Sequence, residues 1–179
     1  MSAQPHAGHL ALARLSALSR FDEFTVVTQN VDDLHERAGC TNVVHLHGSL
    51  FAPRCMACAA PHRLDAGAVE PERAPRIAPP VCQACGGRVR PGVVWFGESL
   101  PEHAWQLAMQ AAARADVMLV VGTSSQVYPA AGLPVEVRQA DGQVAVINPD
   151  PSLRVSPGEL LLRATAGEAI PALLTELAG

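Results

Sequence analysis

Apolar residues recur at helical spacing near the start of the chain. Ala7, Leu10, Ala11, Leu15 and Leu18 share one face, and a helix is expected over 7–18. Phe24-Thr-Val-Val-Thr28 is short and β-branched, as a buried strand is, and it runs into the polar cluster Gln29-Asn30-Val31-Asp32-Asp33. Asp32 or Asp33 is suited to cap a short helix that Gly39 would close. Val43-Val44-His45-Leu46 is a second apolar piece and leads into His47-Gly48-Ser49. After residue 90, Ser99-Leu-Pro-Glu102 has the form of a capping box opening an Ala-rich helix to about Arg114. Val117–Val121 and Val144–Ile147 read as buried strands, ending in Gly122-Thr-Ser-Ser125 and Asn148-Pro-Asp150. A last helix is expected from about Gly167 to Leu177, with Pro171 near its first turn.

Continuous apolar strands alternating with helices imply an α/β fold with a parallel sheet covered on both faces. Ligands of such sheets sit outside the carboxyl ends of the strands. Here those ends are Gln29–Asp32, Gly122–Ser125 and Asn148–Asp150, all small or polar, and together they suit a nucleotide. The pattern breaks at about residue 50. From Phe51 to Arg90 the chain is proline-rich, lacks hydrophobic periodicity and holds four of the five cysteines, so it needs a staple to fold.

Cys55-x2-Cys58 and Cys82-x2-Cys85 supply one. Two knuckles separated by 23 residues can turn four thiolates onto a single ion, which suits a closed, structural zinc site. A redox Cys-x-x-Cys or unrelated loop thiols are the bland alternatives, and Cys40 reads as an inert, half-buried thiol. His45 and His47 alternate along an extended segment and are expected to point to opposite faces. Either could be an ordinary structural imidazole. His47 is the better candidate for a general base, since Gly48 beside it permits close ligand approach at the margin of the zinc segment. Trp95 and Phe96 read equally as core packing or as part of a cleft where the chain leaves that segment.

Composition narrows the chemistry further. The 179 residues are 49% apolar, enough for a real core, and carry a net charge of −4. That charge disfavours bulk nucleic-acid or anionic-membrane binding. All thirteen basic residues are Arg, so a P-loop lysine, Schiff-base lysine or lysine general base is excluded. No stretch is apolar enough to span a membrane, and the first residues lack the pattern of a signal peptide. With paired Cys-x-x-Cys motifs, a reducing, cytoplasmic setting is the expectation.

Taken in order, Thr28-Gln-Asn-Val-Asp32-Asp-Leu-His, His45-Leu-His47-Gly-Ser, the two Cys-x-x-Cys pairs, Arg90-Pro-Gly-Val-Val-Trp-Phe-Gly-Glu98, Val121-Gly-Thr-Ser-Ser125-x-Val-Tyr-Pro-Ala130 and Ile147-Asn148 resemble the sirtuin family of NAD-dependent protein lysine deacylases. The resemblance runs from residue 5 to the end, and Val94-Trp95-Phe96-Gly-Glu98 with Leu34-His-Glu-Arg-Ala-Gly39 is most similar to the subgroup that removes succinyl or malonyl groups. It implies a Rossmann-like NAD lobe formed by residues 1–50 and 90–179, with a small zinc-binding domain inserted at 51–89. It also implies His47 as general base; Gln29, Asn30 and Asp32 at the nicotinamide and its ribose; Gly122, Thr123, Ser124, Asn148 and Ala166 on the adenosine side; and Val94 and Phe96 along the acyl-lysine channel. Cys55, Cys58, Cys82 and Cys85 would hold one zinc ion. The implied products are nicotinamide, free protein lysine and O-acyl-ADP-ribose, and the implied partners are acylated proteins, with neither nucleic acid nor membrane.

The family's opening strand and Gly-Ala-Gly-Ile-Ser-type turn have no counterpart before residue 5, and His6 replaces the Asn of its Pro-Asn-x-x-His entry. The expectation is an incomplete sheet with unpaired strand edges, weak activity, and an acyl preference that does not carry over. A non-catalytic zinc- or nucleotide-binding module is the alternative. A zinc-ribbon nucleic-acid binder is disfavoured, because the six arginines of residues 51–90 lack an aromatic stacking platform.

Overall fold

The computed structural model describes residues 3–63 and 78–178. The middle of the expected zinc domain, 64–77, lies outside the described residues, as do Arg73 and Arg76.

Helix α1, Ala7–Ser16, opens on a cap made of two histidines: His6 Nδ1 accepts from the Gly8 amide at 3.0 Å and His9 Nδ1 accepts from the His6 amide at 3.4 Å. Strands β1 (Val26–Thr28) and β2 (Val43–His45) pair in parallel across helix α2, Leu34–Ala38. Asp32 Oδ1 accepts from the Leu34 amide at 3.0 Å, whereas Asp33 makes no capping bond. Gly39 closes α2 in the left-handed conformation, φ +107°, as its sequence position predicts.

Strand β3, Gly48–Cys55, and β4, Val89–Val93, form an antiparallel ribbon whose far end carries the cysteines. Helix α3, Glu102–Arg114, leads to β5, Val117–Val121. A short 3₁₀ turn (Ala130–Gly132) and α4 (Leu133–Gln139) lead to β6, Gln143–Ile147. Strand β7, Leu160–Leu162, and α5, Ala166–Ala178, complete the chain.

Strands β5, β6 and β7 pair in parallel in that order, and among the described residues they share no backbone ladder with β1–β2. Their continuous apolar sequences serve two cores by alternation. Val144 and Val146 pack with α3 and α4, while Ile147, Leu119 and Val121 pack with α1 and α5. The first core also takes in Val27, Val44 and Leu46, which ties β1–β2 to the larger sheet through side chains. Both faces are therefore covered, as the sequence pattern requires.

Two local expectations are corrected. Ser99 does not cap α3, which begins after Pro101 with no side-chain cap. The residue preceding a proline is pushed out of helical conformation, so Leu100 cannot belong to the first turn and instead packs on the core. At the start of α5 a Thr-x-x-Glu pair forms half of a capping box: Glu168 Oε2 accepts from the Thr165 amide at 3.1 Å and from its hydroxyl at 2.7 Å, so that hydroxyl bonds the carboxylate and not a helix amide. Nor do His45 and His47 lie on one extended strand, because β2 ends at His45 and the chain turns through Leu46 and His47 into Gly48 at φ +72°.

Candidate functional site

The carboxyl ends of β1, β5 and β6 meet. Gln29 Nε2 lies 3.5 Å from Thr123 Oγ1, and Asn148 Nδ2 donates to the Thr123 carbonyl at 2.9 Å. Asn148 Oδ1 accepts from the Asp150 amide at 2.9 Å, so this buried side chain serves as a brace between two strand ends. Gly122 takes φ +65° with open space where a Cβ would stand, which leaves its backbone approachable. Ser124 is exposed. Ala166, the first residue of α5, presses its carbonyl against Gly8 of α1, where an added Cβ would come within 2.8 Å.

On the β1 side, the turn after β2 delivers both histidines to one loop. His47 Nδ1 lies 2.9 Å from the Gln29 carbonyl and His45 Nδ1 lies 3.2 Å from the Asn30 carbonyl. A carbonyl only accepts, so each Nδ1 donates its hydrogen. For His47 this fixes the tautomer and leaves Nε2 with the lone pair, as a general base requires. The half-buried His47 also accepts at its own carbonyl from the Val94 amide, at 2.8 Å. Val94 is thereby bonded directly to the candidate base. Phe96, by contrast, is fully exposed.

Residues beyond the sequence reading hold the turn that carries Phe96. Arg90 pairs with Glu98, donates to the Val93 carbonyl at 2.9 Å, and lies with its guanidinium carbon 3.3 Å from the Trp95 ring centre. Glu98 Oε2 also accepts from the Trp95 amide at 2.9 Å. The hydrogen bonds from Arg90 and from that amide bring the Glu98 carboxyl down to about 2. Opposite charges flanking Trp-Phe-Gly at positions 90 and 98 are the signal from which this clamp could have been read.

At the far end of the β3–β4 ribbon the four cysteines converge, their sulfurs all within 4.8 Å of one another. Cys55 Sγ stands 3.5 Å from Cys85 Sγ, and Cys58 Sγ stands 3.8 Å from Cys82 Sγ. Zinc–sulfur bonds of about 2.3 Å in a tetrahedron give edges of about 3.8 Å, so the cage has the right size for zinc. The Ala57 and Gly87 amides donate to Cys55 and Cys85 sulfurs at 3.3 and 3.4 Å, as thiolates need. Gly87 fits closely here: a Cβ would stand 3.0 Å from Cys55 Sγ and 3.3 Å from Cys85 Sγ. The amides of Cys58 and Ala57 lower the Cys55 thiol to about 6. Cys85 is pushed up to about 12, because the Cys58 and Cys55 sulfurs with burial outweigh the opposing Gly87 amide. An ion that takes four thiolates resolves that crowding. The four cysteines are positioned to bind one zinc ion.

The Sir2 family profile matches residues 1–129. The chain is 52% identical over 176 residues to NAD-dependent protein deacylase 1 of Pseudomonas aeruginosa, covering 97% of this chain and 69% of that protein. It is 49% identical over 174 residues to an NAD-dependent protein deacylase of Mycobacterium tuberculosis, covering 97% and 71%. Among solved structures, a Sir2 homologue mutant in complex with ADP-ribose superposes with a TM-score of 0.86 at 45% identity, covering 99% of this chain and 68% of that one. A Sir2 homologue–NAD complex gives 0.83 at 44%, covering 99% and 66%. A Sir2–p53 peptide–NAD+ complex gives 0.79 at 29%, covering 98% and 71%. A profile that matches well over half the chain and relatives near 50% identity agree with the converging strand ends, the turn-borne His47 and the cysteine cage: the chain belongs to the Sir2 family.

Proposed function

We propose that the chain removes acyl groups from protein lysine with NAD as co-substrate, giving nicotinamide, free lysine and O-acyl-ADP-ribose. The observation that carries this reading is His47, held by the Gln29 carbonyl with Nε2 free, beside three strand ends that open toward a dinucleotide. When bound, NAD supplies a ribose carbon bearing a good leaving group.

The chain's own residues do the rest. Gln29, Asn30 and Asp32 face the nicotinamide and its ribose. Gly122, Thr123 and Ser124 contact the adenosine ribose and phosphate, Asn148 braces Thr123, and Ala166 lies at the adenine. His47 Nε2 takes the proton of a ribose hydroxyl. Val94 and Phe96 border the path of the acyl-lysine, and peptide docking covers the exposed Phe96 ring. In this reading residues 1–50 with 90–179 form the NAD lobe and 51–89 the zinc domain. The paired cysteines support a reducing, cytoplasmic setting, and the charge of −4 supports protein substrates over nucleic acid or membrane. Among the described residues no helix is long and apolar enough to cross a membrane.

The test is nicotinamide release from NAD in the presence of acetyl-lysine and succinyl-lysine peptides. His47→Ala is expected to lower release at least about a hundredfold while the zinc content stays at one per chain. Equal release from both proteins would overturn the assignment of the base. Binding of ADP-ribose with no release from either peptide would identify a nucleotide-binding module.

A further inference from the structure

His45 is placed as deliberately as His47, and the proposed reaction gives it nothing to do. Its ring is engaged at both nitrogens. Nδ1 meets the Asn30 carbonyl at 3.2 Å, and Nε2 meets Glu36 Oε1 at 2.6 Å. With both ring nitrogens engaged by the protein, His45 presents neither to a substrate and does not share the base's work.

The contacts show what it does instead. The Asn30 amide donates to Thr28 Oγ1 at 3.1 Å, and Thr28 is buried at the end of β1. With its carbonyl held by His45, Asn30 has its peptide groups fixed on both sides while its side chain stands exposed at the site. The next carbonyl back, that of Gln29, is held by His47. Two histidines two residues apart thus hold two consecutive carbonyls of one loop. Glu36, near the middle of α2, sets the His45 ring, and Asp32 Oδ1 fixes the start of α2. A side-chain amide presented this way complements a carboxamide, offering one donor and one acceptor face to face.

We propose that His45, oriented by Glu36, is a positioning residue that aims the Asn30 side chain at the carboxamide of nicotinamide. This rests on the NAD-dependent reading above. The experiment compares, by calorimetry on the full chain, the affinities for NAD and for ADP-ribose, which lacks nicotinamide. In His45→Phe the ratio Kd(NAD)/Kd(ADP-ribose) is expected to rise about tenfold, with ADP-ribose affinity within about twofold of the parent protein. His45→Gln, which can still donate to the Asn30 carbonyl, is expected to restore most of the ratio, and a merely structural role would not produce that split.

An unchanged ratio, or equal loss of both ligands, overturns the proposal. Should His45→Phe lose its zinc, Glu36→Ala on the exposed side of α2 reads the same ratio, with a rise of about threefold expected and no rise overturning it. Failure of the parent protein to bind either ligand overturns the NAD reading, and this proposal with it. That result is distinguishable because it appears before any substitution is made.

Discussion

At His9, burial acts first against protonation, the nearby His6 and His35 imidazoles add to it, and Asp32 only partly opposes them, so the pKa falls from 6.5 to about 4. The three rings pack in a row, tilted at 4.0 Å between centres for His6–His9 and edge-to-face at 4.8 Å for His9–His35. His9 must also stay neutral to accept from the His6 amide at the start of α1. The unfolded chain takes up the proton near pH 6.5 and the folded one only near 4. Stability is therefore full above about 6.5 and is lost as the pH falls toward 4, by of order 2 kcal/mol. Urea midpoints measured between pH 7 and 4 are expected to show that slope. His9→Asn, which keeps an acceptor, is expected to flatten it; an unaltered slope would place the titration elsewhere. A second prediction concerns Gly87. Its Cβ position lies against two of the four sulfurs, so Gly87→Ala is expected to weaken zinc retention against a competing chelator at least about tenfold.

Among the secondary structure elements, the Glu168 carboxylate, bonded to the Thr165 amide and hydroxyl, secures the start of α5, the helix that packs across α1 and supplies the buried Ile170. Thr165→Ala is expected to cost about 1 kcal/mol in chemical denaturation, with Glu168→Gln costing less because an amide oxygen still accepts. Residues 99–102 share the Ser/Thr-x-x-Glu pattern and make no side-chain cap, because Pro101 removes Leu100 from the helix. That contrast marks where sequence reasoning reaches its limit. Strand β5 and the end of α3 are legible to the residue because a five-residue apolar run and an Ala-rich helix each carry a strong local signal. Strand β7 is three residues, two of them exposed, and exists only because β6 offers it an edge; nothing within Leu160–Leu162 encodes that. The cysteine cage is legible because its geometry is set by two local knuckles. The bonds Gln29–Thr123 and Asn148–Thr123 join residues 94 and 25 positions apart, and only the folded chain brings them together.

For the whole molecule, the described cores are unequal. Two apolar clusters support the parallel strands, whereas among the described residues of the zinc segment the buried cluster consists of Cys55, Cys82 and Val89. Such a small core needs its metal to stay folded. Chelation is expected to expose residues 51–89 to proteolysis while amides of β5 and β6 keep their protection from hydrogen exchange. Turnover should fall as well, because β3 starts at Gly48, immediately after His47, and the Val94 amide that follows β4 is bonded to the His47 carbonyl. Retained turnover after complete metal loss would show that the ribbon does not support the base.

The cationic lid over Trp95 makes the molecule its own optical instrument. The chain has two tryptophans: Trp105, packed against the core from α3, and Trp95, half-exposed beneath the Arg90 guanidinium in the turn that carries Phe96. With Trp105 replaced by Phe, all remaining indole emission comes from that turn. Its intensity and wavelength would then follow the arrival of a peptide in real time, without a label and without chemistry taking place.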